Sequence, residues 1–254
     1  MVHDKTDAKA VLTLPAHHEA SLSGWPRFTP AEALGPLVQE QVILGEHTFS
    51  MWRPAEPDRL LEHPATVAAF AQDEYMPYWC DLWPASRMLA KALLQQVLPA
   101  HQSVLELGCG LGMAGIAALA RGCHVVFSDY DATALRFAAA NALHHQFDQF
   151  ELLPLNWCQP PQRTFDWIIA ADLLYEVRSV VPVAECLAKM LAPHGVVWIT
   201  DQDRSPAPVW KQALQERGWS YQMIPMHAGQ PAGPGQVARR VKGTLYQIQR
   251  TAQA

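Results

Sequence analysis

The stretch VLELGCGLGMAGIA, residues 104–117, decides the fold, because it joins a buried strand to a helix through a glycine-rich turn. Two overlapping patterns fit this turn. Gly110, Gly112 and Gly115 form G-x-G-x-x-G, the pattern of turns that bind nicotinamide or flavin dinucleotides. Read from Glu106, the same stretch forms E-x-G-x-G-x-G, a pattern that points to a different ligand.

The position of the strand end favours the second pattern. In a dinucleotide-binding turn the first glycine directly follows the strand, so that the backbone can reach the pyrophosphate. Here the strand SVLEL ends before Gly108, not before Gly110. Glu106 at the strand end would repel a pyrophosphate and attract an ammonium group. S-adenosylmethionine carries an ammonium and no phosphate, so we expect it to be the cofactor. Asp129, at the end of the next strand, can accept hydrogen bonds from a ribose of either ligand.

Composition narrows the classes of protein and partner. The chain has 254 residues, half of them hydrophobic, and a net charge of −5. No apolar run reaches the roughly 20 residues that span a bilayer, so we expect no membrane partner. Lysine and arginine do not cluster, which makes a nucleic-acid partner unlikely. The five cysteines are scattered and no histidine or cysteine spacing favours a metal site; together with the lack of a secretory signal pattern, this indicates free thiols in the cytoplasm.

The pattern of hydrophobic residues predicts a doubly wound α/β sheet. From residue 84 onward, short apolar strands alternate with helices, and the chain closes on two strands, which suggests an antiparallel member at the sheet edge. One of the helices covers SVVPVAECLAKML, with Pro182 in its first turn. Residues 1–75 are expected to form an N-terminal extension with a β-hairpin over residues 37–54, turning at Gly45-Glu46.

These motifs resemble those of the class I, seven-β-strand, S-adenosylmethionine-dependent methyltransferases, over about residues 78–250. The segments PYWCDLWPASRMLAKAL (77–93) and AADLLYE (170–176) are similar to the protein-lysine methyltransferase branch with a D-x-x-Y motif. That branch includes the electron-transfer flavoprotein β-subunit lysine methyltransferase. The resemblance implies a Rossmann-like methyltransferase domain over residues 76–254. It also implies the strand order 3-2-1-4-5-7-6, with the last strand antiparallel.

The resemblance also implies which residues form the site. Asp172 and Tyr175 are the signature pair, and we expect them to be catalytic by orienting an acceptor amine. Tyr78 and Trp79 are expected to form an aromatic wall on the substrate side, together with Trp83. The cofactor-binding residues expected from the motif and the resemblance are Trp83, Glu106, Gly108, Cys109, Gly110, Gly112, Asp129, Tyr130, Asn156, Trp157 and Ala171. Many family members have aspartate where this chain has Asn156.

The predicted function is methyl transfer from S-adenosylmethionine to a protein lysine side chain; the alternative is a small-molecule N- or O-methyltransferase. The N-P-P-Y-type motif of nucleic-acid amino methyltransferases is absent after the fourth strand, where ADLLY stands. The size of the acceptor is left open, because it depends on the N-terminal 75 residues and on residues 228–236. If these segments leave a groove at the crevice entrance, a protein substrate is favoured, whereas a closed lid favours a small one.

Overall fold

The N-terminal part of the chain is built of short helices around one β-hairpin. The computed structural model describes residues 8–96, 102–204, 206–230 and 239–251. Strands β1 (Leu37–Leu44) and β2 (His47–Pro54) pair antiparallel across the predicted turn, which confirms the hairpin. The helices before and after it are α1 (Ala8–Val11), α2 (Ala16–Leu22), α3 (Ala31–Leu34), α4 (Pro57–Leu61) and α5 (Pro64–Asp73).

Seven strands form the central sheet, in the order β5-β4-β3-β6-β7-β9-β8. Strands β3 to β7 run parallel, and β9 runs antiparallel between β7 and β8 at one side of the sheet. This is the order implied by the resemblance, and the mostly parallel α/β fold is confirmed. The strands are β3 (Ser103–Leu107), β4 (His124–Asp129), β5 (Phe150–Pro154), β6 (Phe165–Ala171), β7 (Leu191–Asp201), β8 (Trp219–Gln230) and β9 (Arg239–Arg250).

The helices α6 to α10 cover the two faces of this sheet. Pro84 begins the first of them, a position where its missing N–H is not needed by the helix. The Asp131 side chain accepts a hydrogen bond from the backbone N–H of Thr133 at 2.7 Å, so Asp131 is the N-cap of the helix that begins at Ala132. The helices are α6 (Pro84–Gln95), α7 (Met113–Leu119), α8 (Ala132–His144), α9 (Val177–Met190) and α10 (Ala207–Glu216).

The predicted start of α9 is wrong by two residues. The helix begins at Val177, so Pro182 lies in its interior and not in its first turn. The backbone N–H of Ser179 already donates to the Glu176 carbonyl at 3.1 Å, which shows that the first turn forms ahead of Ser179. Pro182 cannot donate the usual hydrogen bond to the residue four positions earlier, and the helix continues through it.

The N-terminal part shares its hydrophobic core with the sheet. Leu22, Phe49 and Leu60 belong to the same buried cluster as Phe127 of β4 and Phe137 of α8. The hairpin is also held by a polar contact. Buried Asn141 of α8 accepts from the Trp52 N–H at 2.6 Å and donates to the Trp52 carbonyl at 3.1 Å. Residues 8–75 are therefore packed onto the sheet.

Two further expectations concern residues 228–236 and the membrane. Most of the loop predicted at residues 228–236 lies outside the described residues; residues 228–230 are the end of β8. Among the described residues, none of the helices has the length and apolar character of a membrane span. The cytoplasmic location stays a prediction.

Candidate active site

A cavity of 660 Å³ opens at the carboxyl ends of β3, β4 and β6. This is the point where the chain order reverses, since β4 lies on one side of β3 and β6 on the other. Doubly wound sheets bind their ligands at this place. Every predicted site residue except Gly112 lines the cavity.

The glycines of the turn allow close backbone packing around Glu106. Gly108 has φ +65°, and a Cβ added there would lie 2.4 Å from the Cδ2 atom of Leu173. A Cβ on Gly115 would lie 2.4 Å from the Oε2 atom of Glu106. Gly112, predicted to bind the cofactor, does not line the cavity, and a Cβ added there would lie 2.9 Å from that of Ala138. Its contact with the cofactor stays a prediction.

Glu106 is buried beneath the N-terminus of α7. Its carboxylate accepts a hydrogen bond from the Gly115 N–H at 2.9 Å, and only 2% of the residue is exposed. Burial raises the pKa of Glu106 to about 8, although the backbone N–H groups of Gly115 and Ala114 oppose this shift. A cation that enters the cavity would therefore stabilise the ionised form of the Glu106 carboxyl group.

Asp129 closes the glycine turn from the neighbouring strand. Its two oxygens accept from the backbone N–H groups of Gly110, at 2.9 Å, and Asp131, at 3.0 Å. Burial raises the pKa of Asp129 to about 6. Each carboxylate oxygen has a second lone pair, so the group can still accept from ligand hydroxyls.

Asp172 lines the cavity just after β6, with φ +59° and 7% exposure. Its Oδ2 atom accepts from Gln202 at 2.5 Å and from Arg204 at 3.0 Å. Its Oδ1 atom is buried and has no hydrogen-bond partner among the residues that the structure describes. Burial raises the pKa of Asp172, and the Arg204 guanidinium partly offsets this. The expected role of Asp172 in orienting an acceptor amine stays a prediction.

Aromatic rings surround Asp172 on the cavity side. The ring centroids of Tyr78 and Tyr175 are 5.3 Å apart, and those of Tyr78 and Trp83 are 6.3 Å apart, both edge to face. The Trp83 indole N–H donates to the Tyr78 carbonyl at 2.6 Å, and Arg204 lies over the Trp83 ring. Burial raises the pKa of the Tyr175 hydroxyl, so it stays protonated at neutral pH.

Trp79 occupies a different environment from the other aromatic residues. Its indole N–H donates to Asp131 at 3.2 Å and to the Tyr75 hydroxyl at 3.1 Å, and its ring packs on Phe137. The residue is 7% exposed. The structure therefore places the Trp79 ring in the core beneath the cavity, and its predicted substrate contact stays a prediction.

The remaining predicted residues complete the rim. The Tyr130 hydroxyl donates to Asp73 at 3.1 Å, and the Asn156 side chain accepts from the Cys158 N–H at 2.9 Å. Trp157 and Ala171 also line the cavity. Cys158 is exposed at this rim, whereas the other four cysteines are buried.

Sequence reasoning missed two groups of residues. Gln202 and Arg204 follow the end of β7, the strand beside β6, and that position was the available signal for them. Asp131 caps α8, and its carboxylate also accepts from the Thr29 hydroxyl at 2.7 Å and from the Tyr75 hydroxyl. These contacts depend on residues distant in the sequence, which no local pattern reveals.

Known methyltransferases are similar to this chain in sequence and in structure. A family model described as lysine methyltransferase matches residues 68–212. The electron transfer flavoprotein beta subunit lysine methyltransferase of Danio rerio is 31% identical over 135 residues, covering 51% of each chain. The ribosomal protein L11 methyltransferase of Burkholderia mallei is 30% identical over 205 residues, covering 76% of this chain and 63% of that one.

A solved structure, the ribosomal protein L11 methylase of Lactobacillus delbrueckii subsp. bulgaricus, shares the fold. It has a TM-score of 0.52 and 20% identity, and the match covers 66% of this chain and 79% of that one. This chain spans between about half and two thirds of the length of the curated relatives named above.

Proposed function

This chain belongs to the lysine methyltransferase family, and on that premise we propose that it transfers a methyl group from S-adenosylmethionine to a lysine side chain of a protein. The observation that carries the proposal is one cavity lined by two chemically different sets of groups. Glu106 and Asp129 lie at the glycine turn, and Asp172 and Tyr175 lie in the segment that follows β6.

The side chains at the glycine turn fit S-adenosylmethionine better than a dinucleotide. A ligand ammonium would favour the ionised carboxylate of Glu106, and Asp129 can accept hydrogen bonds from a ribose diol. Neither of these buried carboxyl groups offers a positive charge to a phosphate. Among the described lining residues, the arginines are Arg178 and Arg204, and each is already paired with a carboxylate. Trp157 at the rim is suited to cover an adenine ring. Bound there, the cofactor supplies a methyl group already activated on a sulfonium.

The residues around Asp172 fit an amine. A lysine ammonium has no lone pair for an in-line displacement until it loses a proton, and exclusion of water lowers its pKa. The buried carboxylate of Asp172 can accept a hydrogen bond from the amine and hold it in line. The faces of Tyr78, Trp83 and Tyr175 tolerate the amine and its methylated, still cationic products.

The test is transfer of a labelled methyl group from S-adenosylmethionine into a cell lysate by the wild-type chain and by Asp172→Asn. Asparagine keeps the size of the side chain and tolerates the positive φ of this position. We expect the variant to lose activity about 100-fold or more, because it removes a charge aimed at the reacting group. Asp203→Asn is the matched control, since Asp203 also has a positive φ, at +56°, but is exposed and does not line the cavity.

The fraction that carries the label distinguishes the acceptors. Acid-precipitable, protease-sensitive label that yields methylated lysine on hydrolysis supports the proposal. Label that stays acid-soluble would replace it with a small-molecule acceptor. Equal activity of Asp172→Asn and wild type would remove Asp172 from the mechanism.

A further inference from the structure

Arg204 contacts both of the buried carboxylates at the ends of β6 and β7. Its guanidinium donates to the Oδ2 atom of Asp172 at 3.0 Å, and its backbone N–H donates to Asp201 at 3.1 Å. Asp201 is fully buried, and one of its oxygens has no partner among the described residues. Two acidic groups thus lie at neighbouring strand ends, and the charge of Arg204 acts on both.

The hydrogen bonds to Asp172 are unequally divided between its oxygens. Arg204 and Gln202 both donate to Oδ2, while Oδ1 is buried without a partner in the part of the chain that the structure describes. A buried carboxylate oxygen without a hydrogen-bond donor is unfavourable. The arrangement is complete only when a further donor reaches Oδ1.

We propose that Arg204 is a positioning residue, which keeps Asp172 ionised and reserves its Oδ1 atom for the acceptor amine. The inference rests on the proposed function, because the amine is the proposed acceptor. Arg204 does not contact the reacting atoms itself in this scheme. It acts through Asp172 and is held in place by the Trp83 ring, whose centroid lies 5.4 Å from its guanidinium carbon.

The charged surroundings of Asp172 explain why a cation is needed there. The titratable groups that face it are Asp201 from β7, Tyr175 from the segment after β6, and Arg204 itself. Without Arg204, two buried carboxylates would share this region with no positive charge. One of them would then take up a proton, since like charges and burial both favour the neutral acid. A protonated Asp172 does not attract an ammonium group.

The experiment compares the pH profiles of kcat/KM for Arg204→Gln, Arg204→Lys and wild type, with the labelled-methyl assay and the lysate as substrate. For Arg204→Gln we expect the acidic limb to move to higher pH. The factor by which kcat/KM of this variant falls below that of wild type should be about tenfold larger near pH 6 than near pH 9. Arg204→Lys keeps the positive charge, so its pH profile should lie between those of Arg204→Gln and wild type. Asp203→Asn, one residue away, should follow the wild-type profile.

A purely structural role for Arg204 would lower kcat/KM by the same factor at every pH, and that result would overturn the inference. The titration of Asp172 provides a readout that needs no methyl acceptor. It is followed by carbon NMR of the chain labelled at the aspartate carboxyl carbon, with the signal assigned by its loss in Asp172→Asn. A higher midpoint in Arg204→Gln supports the inference, and an unchanged midpoint overturns it. If wild type methylates nothing, the proposed function fails, and this titration alone decides the role of Arg204.

Discussion

At the scale of single residues, the carboxyl group of Glu106 combines deep burial with a polar anchor. It accepts from the backbone of α7 and has no side-chain cation as a partner among the described residues. Burial without such a partner raises its pKa to about 8, from an ordinary value of 4.5. The group therefore binds its proton more tightly in the folded chain than in the unfolded one.

This predicts a pH-dependent stability that Glu106→Gln removes. The stabilising contribution of the protonated group is fully present below about pH 4.5 and is lost as the pH rises through about 8. Wild type should lose free energy of unfolding relative to Glu106→Gln by up to about 1.4 kcal/mol per pH unit in that window. Urea unfolding of both chains between pH 5 and pH 8 measures the difference. Parallel stability curves would contradict the prediction.

The same scale shows where sequence reasoning succeeded and where it could not. Glu106 and Asp172 could be placed at the cavity, because each ends a recognisable strand and parallel strands end at one edge. The surroundings of Trp79 could not be predicted, because its position depends on Asp131 and Tyr75. Arg204 was missed for a similar reason, since its contact with Asp172 joins two loops 32 residues apart.

At the scale of elements, the contact between α7 and the sheet depends on a missing side chain. A Cβ on Gly115 would come within 2.4 Å of both Glu106 and the ring of Phe127. The residue therefore sets how closely α7 approaches β3 and β4. Gly115 belongs to the G-x-G-x-x-G pattern, which we did not favour as a ligand motif. The pattern nevertheless includes a glycine that close packing requires.

Gly115→Ala should consequently destabilise the fold by about 1–3 kcal/mol, because it overpacks the core at this contact. Gly229→Ala is the control, since a Cβ on that strand glycine meets nothing within 4 Å, and it should change stability by less than about 0.5 kcal/mol. Urea midpoints of both variants test the prediction. Equal midpoints would show that α7 can move away from the sheet without a loss of stability.

Helix boundaries were harder to predict than strand ends. The start of α9 depends on how the chain leaves Asp172, where a left-handed backbone at φ +59° turns it toward the helix within four residues. Pro182 suggested a later start, because proline favours the first turn of helices. The preference of proline for the first turn of a helix therefore did not decide where α9 begins.

At the scale of the whole molecule, the N-terminal residues and the sheet share buried contacts. Asp131 accepts from the Thr29 backbone and side chain, Asn141 pairs with Trp52, and His18 stacks on Phe150 with ring centroids 4.5 Å apart. The division at residue 75 that we predicted from the sequence stays a proposal about domains. Its two parts meet in one core.

We therefore expect the hairpin β1-β2 and the strands β3 and β4 to unfold in a single transition. Shared burial makes small structures cooperative, and neither part can leave without exposing the same cluster. Hydrogen exchange of peptides from both regions, measured across a urea series, should give one common midpoint. Earlier exchange of the hairpin would show that the N-terminal part is an independent unit.

The distribution of thiols around the cavity has a practical consequence. Burial raises the pKa of Cys80 and of Cys186 to about 12, and that of Cys109 also rises, so these thiols are poor nucleophiles. Cys158 is exposed beside Trp157 at the rim. An alkylating dye would thus attach next to the binding cleft of the natural chain, and its fluorescence would report occupancy there without any engineered cysteine.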